Sequence, residues 1–185
     1  MHLDEDDSDV KIAGCETRGD EAGDEAEELR RQHENGNLAL ARELGKQLSQ
    51  RMTGLESESS FGIDLCENED LCLQRRLLFA FSACYAVECF VPGKLLQDVA
   101  VNAFYNALKN TMPEFYGDLD SSGSFSFYYL CVRRSGEVSE AIGHTFAMLS
   151  GKNGEPVIER LGEALFIRFS DVVREMIAAM QFRQD

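Results

Sequence analysis

Glu88 is the single carboxylate in the stretch LLFAFSACYAVECFV, residues 77–91, which also carries Tyr85, Ser82 and two cysteines. It shares a helical stripe with Leu77, Phe81 and Cys84. If that stripe is buried, the charged form of the carboxylate is disfavoured, and Glu88 could act as a general acid or base or hold a cationic ligand. The structural alternative is an ion pair with Lys94, Arg133 or Arg134. Glu88 and its neighbour Tyr85 are the candidate ligand-binding residues. His144 follows Glu140 by one helical turn, and the two could share a proton. Both fall off the stripe of Val138, Ile142, Phe146 and Leu149, which places them toward solvent.

A second set of oxygens lies in DLDSSGSFSFYY, residues 118–129. Asp118, Asp120, Ser122, the backbone of Ser124, and Ser126 alternate along the chain, and Gly123 sits where a cation-binding loop needs its sharp turn. The spacing resembles the calcium loop of an EF-hand, a likeness confined to this segment, and it makes Asp118, Asp120, Ser122 and Ser124 candidate metal ligands. Tyr129 stands where that loop takes a bidentate Glu, so two oxygens are missing. Pro113 and Gly117 also interrupt the entering helix. The same residues form an Asp/Ser/Gly turn able to cap the next helix without metal.

No catalytic set emerges. There is no CxxC pair, no GxSxG, no HExxH and no glycine-rich phosphate loop after a strand, so no cofactor is expected. A zinc site assembled from Cys66, Cys72 and His144 has no supporting spacing. A cysteine nucleophile lacks a placed base.

The elements that position these residues read as helices. Asn35-Gly36-Asn37 divides an early polar helix from one over about 38–51, which carries Leu44, Leu48 and Met52 at helical spacing. Residues 53–62 read as a connection. A helix over 68–91 has Glu69 and Asp70 in its first turn, where the helix dipole favours acids, and ends before Pro92-Gly93. Its apolar run is fifteen residues long, contains Glu88 and is entered through Arg75-Arg76. A bilayer span needs about 20 apolar residues, so the run suits a central helix surrounded by others. Further helices are expected over 92–112, 138–150 and 156–182. The last carries Ile158, Leu161, Leu165, Phe169, Val172, Met176 and Ala179 along one face. The aromatic alternation of SFSFYYLCVRR could suit a strand, but no partner strand is evident, and a helix is assigned there.

The fold class is therefore all-α, an irregular helical bundle of about six or seven helices over residues 26–185, behind a disordered acidic tail over 1–25. At 185 residues the chain can bury a sizeable core. Residues 1–28 hold twelve acids against Lys11 and Arg18, which is −10 of the net −15. Such a field repels nucleic-acid phosphate and anionic lipid, so neither nucleic acid nor membrane is an expected direct partner. The start MHLDEDDSDV shows no secretory signal, and four of the six cysteines lie in apolar sequence, as expected of reduced thiols in a cytoplasmic protein. The two arginine doublets read as solvated rims or as partners for the acidic tail.

Three functions follow from these features. Helices rich in large apolar residues, with twelve Phe and six Met, suit a non-enzymatic protein–protein interaction or regulatory module that binds a protein partner or itself. A pocket between helices near Glu88, Tyr85 and the aromatic run 125–129 would instead suit a small-molecule-binding protein or an enzyme. The acidic tail would suit a decoy for a basic nucleic-acid-binding partner.

Overall fold

The computed structural model describes residues 18–54, 69–133 and 136–183. Among them are eight α-helices and no strand: α1 (Arg18–Glu34), α2 (Asn37–Gly54), α3 (Glu69–Phe90), α4 (Lys94–Thr111), α5 (Pro113–Ser121), α6 (Ser124–Val132), α7 (Val138–Leu149) and α8 (Pro156–Met180). The all-α bundle stands, with slightly more helices than expected. The additional one is α5, which the Asp118 region read as a loop had concealed. α1 begins at Arg18, inside the segment assigned to the acidic tail; residues 1–17 lie outside the described residues.

α3 is the axis of the molecule. From Leu77 through Cys84 every residue is buried, as are Ala86 and Val87, because each face of the helix meets a neighbour. α8 covers one side, where Phe79 meets Phe169 edge-on at 5.2 Å, while Phe81 is ringed by aromatics of α6 and α8. The one fully buried hydroxyl in the run is satisfied within the helix, as Ser82 Oγ donates to the Leu78 carbonyl at 2.8 Å. An unpartnered buried hydroxyl would cost on the order of 1–3 kcal/mol. Arg75 is buried too, not part of a solvated rim.

Two close helix pairs flank this axis. α2 lies against α4, with Leu44, Leu48 and Met52 facing Leu96, Phe104 and Leu108 in the core. Gly45 permits the approach, since a Cβ there would fall 2.4 Å from the Ala100 carbonyl oxygen. α7 packs on α8 in the same manner at Gly143, where a Cβ would lie 2.4 Å from the Glu159 carbonyl. The buried seam of α8 follows the expected stripe to Phe169 and then steps by four to Val173 and Ile177. Val172 and Met176 are only partly buried and Ala179 is exposed.

Pro92 does not open α4. It lies in a bend with Gly93, and the helix begins at Lys94. From α4, Gln97 Nε2 reaches back to the carbonyls of Glu88 at 3.1 Å and Val91 at 3.0 Å, supplying donors that the last turn of α3 lacks. Gly123 at φ 64 makes the left-handed turn between α5 and α6, a conformation that costs most other residues about 1 kcal/mol or more.

Candidate functional site

The C-terminal half of α3 presents Phe81, Cys84, Tyr85 and Glu88 on one stripe, at the spacing that aligns side chains along a helix. α4 brings Tyr105 to this stripe and α6 brings Tyr129. Tyr129 Oη donates to Glu88 Oε1 at 2.9 Å, and Cys84 Sγ lies 3.3 Å from Tyr105 Oη. Tyr85 stacks on Phe81 with ring centres 5.9 Å apart. Glu88 is exposed, not buried; of the partners offered, Lys94, Arg133 or Arg134, Lys94 is held by Asp98 at 2.7 Å, and the bond to the Glu88 carboxylate comes from Tyr129. Of the two residues read as a site, one thus binds a tyrosine of the protein itself and the other lies against a core ring.

Burial dominates the acid–base chemistry here. It pushes the Cys84 thiol from its ordinary 9.0 up to about 12, with the Tyr105 hydrogen bond opposing and the Glu88 charge adding to the rise. Burial likewise raises Tyr105, next to Cys84, and Tyr129, where the Glu88 hydrogen bond and charge add to it. Tyr128 is raised by burial and then by Cys131. All four groups are uncharged when protonated, so the folded state keeps protons that the unfolded chain gives up from pH 9 to 10. Their contribution to stability is whole below pH 9 and is lost as pH climbs toward the folded values. We expect the urea midpoint, followed by circular dichroism, to fall steadily from pH 9 to about 12. Tyrosinate absorbance of the buried rings should appear only together with loss of the helix signal.

The 118–126 oxygens take a different form. Asp118 and Asp120 are exposed on α5, which is helical through Ser121, and the Ser122 N–H donates to the Asp118 carbonyl at 2.9 Å. Ser122 Oγ accepts from the Ser124 N–H at 3.3 Å, and Ser124 is buried at the first turn of α6. Among the described residues no group of three or more His, Cys, Asp or Glu is placed to hold a metal ion.

His144 has a partner that the sequence reading did not anticipate. Its Nδ1 lies 3.0 Å from Glu159 Oε1 on α8, closer than the 3.9 Å from Nε2 to Glu140 Oε1 on its own helix. The groove between the starts of α7 and α8 encloses about 310 Å³ and is lined also by Glu137, Glu163 and Arg160. Glu163 accepts a hydrogen bond from Ser139 at 3.1 Å. The acids at 159 and 163, one turn apart beside Gly162, were the available sign that α8 would set carboxylates against α7.

The remaining polar constellation centres on a fully buried side chain. Asn37, at the first turn of α2, donates through Nδ2 to Gln32 Oε1 at 2.7 Å and to the Arg183 carbonyl at 3.0 Å, and its Oδ1 accepts from the Arg183 N–H at 3.0 Å. Read as part of a turn signal, Asn37 gave no hint of a partner 146 positions away. Among the described residues no helix is long and apolar enough to cross a membrane.

Comparison of the chain with protein-family models, curated proteins and solved structures finds no match in any of the three.

Proposed function

We propose that the protein is a non-enzymatic, cytoplasmic interaction module that docks a basic-surfaced protein partner on α6. The observation that carries this reading is the outer face of α6. Phe127 and Leu130, one turn apart, are 46% and 54% exposed, whereas Tyr128 and Cys131, on the adjoining face of the helix, are buried. A short helix that holds itself by one face and offers two large apolar side chains on the next can serve as a docking ridge. The partner's charge follows from the net −15, which opposes association of two copies and draws a basic surface. The groups read as chemical support this too, since Glu88 is held by Tyr129 and Cys84 lies against Tyr105. The decoy reading rests on an acidic segment that falls largely outside the described residues.

The test is titration with a labelled amphipathic peptide of leucine and lysine, read by fluorescence anisotropy, against the full chain and its Phe127→Asp/Leu130→Asp variant. Docking on α6 predicts at least tenfold weaker binding by the variant. Attraction by charge alone predicts equal or tighter binding, because two acids have been added, and that result would refute the proposal.

A further inference from the structure

Helix α1 is polar around its circumference, and its one buried side chain among the described residues is Gln32. Leu29, its largest apolar residue, is 49% exposed. The helix touches chiefly α2. Gln32 is therefore the anchor of α1, and it is engaged at both ends of its amide: Nε2 donates to Glu28 at 2.9 Å and Oε1 accepts from Asn37. Asn37 spends its remaining N–H and its carbonyl oxygen on the main chain of Arg183. The segment that brings Arg183 there leaves α8 through Gln181, a non-glycine residue at φ 51, and lays Phe182 against the core. Left-handed backbone at such a residue persists only where its surroundings hold it.

We propose that α1 and residues 181–183 form a two-ended latch closed through Asn37, so that opening either end loosens the other. The coupling is a consequence of the shared amide. Nδ2 offers one hydrogen to each side, and a buried N–H left without its partner is costly, so loss of Gln32 favours rotation of the amide away from Arg183 toward water. With the latch open, the amide of Gln32 and the ring of Phe182 become available together, and a ligand that takes either one promotes release of the other. The device concerns the end of the molecule around Asn37 and does not depend on the α6 docking surface.

Hydrogen exchange of the full chain, read by mass spectrometry, tests the coupling through Gln32→Ala. This substitution touches only the α1 end. A latch predicts at least fivefold faster exchange at the Arg183 amide as well as in α1, with α3 peptides unchanged as the sign that the core remains folded. Arg183→Ala, which keeps the main-chain contacts, should leave both ends as they are, and Asn37→Ala should open both. The proposal is overturned if Gln32→Ala speeds exchange in α1 alone, if Arg183→Ala releases the segment, or if the Arg183 amide of the unaltered protein exchanges as freely as an unstructured one.

Discussion

Phe81→Ala is expected to lower stability by about 4 kcal/mol, the size seen when a large ring is removed from a core that cannot close over the gap. Phe81 is fully buried, and five rings surround it: Tyr85, Phe125, Tyr128, Tyr129 and Phe166, at centre distances from 5.2 to 6.4 Å. Those rings come from α3, α6 and α8, so collapse onto the space would have to move three helices. For a domain of this size each kcal/mol shifts the melting temperature by roughly 2–4 °C, and the variant should melt about 8–16 °C lower. The α6 contribution is separable. Because this nine-residue helix is held to α3 through Phe125, Tyr128 and Tyr129 on Phe81, with its other attachment to α7 at Cys131, its amides should lose protection before those of α2 and α4. A loss below about 1 kcal/mol would mean that the cluster repacks, and that α6 is held by something other than this ring.

The second large effect is expected from adding one carbon at a helix crossing. Alanine in place of glycine inside a helix ordinarily stabilises by up to about 1 kcal/mol, so propensity alone predicts a gain at Gly45 and Gly143. Contact predicts the reverse. At Gly45 the new carbon would lie 2.4 Å from the Ala100 oxygen and 2.7 Å from the Phe104 nitrogen, and at Gly143 it would lie 2.4 Å from the Glu159 oxygen. These are backbone atoms, which can retreat only if the helices separate. Overpacking of this kind costs about 1–3 kcal/mol, with rigid obstacles at the upper end, so each substitution should destabilise by about 2 kcal/mol net. The two crossings lie in different helix pairs, and the double variant should show the sum. Gly23→Ala in α1, where nothing stands within 4 Å, is the internal control and should not destabilise. Urea denaturation of the four variants measures all of these effects.

Legibility in the sequence followed the reach of the interaction. The core helix was visible from Leu77 to Val87 because burial on every face needs apolar residues at nearly every step, and the chain supplies them. The seams of α2 and α8 were visible from apolar residues at helical spacing up to Phe169, beyond which Val172 and Val173 are equivalent until a neighbouring helix selects one. α6 was assigned correctly by elimination, since a strand would have had no partner. α5 was missed because its Asp and Ser residues favour turns, and Pro113, read as ending a helix, also begins the next at its first turn. Partners distant in the chain were not legible. Tyr129 for Glu88, Glu159 for His144 and Arg183 for Asn37 are each fixed by how whole helices meet, which no local spacing records. Gly45, Gly143 and Gly162 carried a trace of that information, as glycines inside otherwise regular helices point to close approach.

Ribosomes add roughly 5–20 residues per second, and α3 is complete long before α8, whose Phe166 and Phe169 close over Phe81 and Phe79. For several seconds of every round of synthesis the greasiest rod in the nascent chain has no cover on that flank. Its solubility in that interval must come from elsewhere, and the acidic stretch that precedes it on the emerging polypeptide, repelling its counterparts on neighbouring chains, is suited to the task.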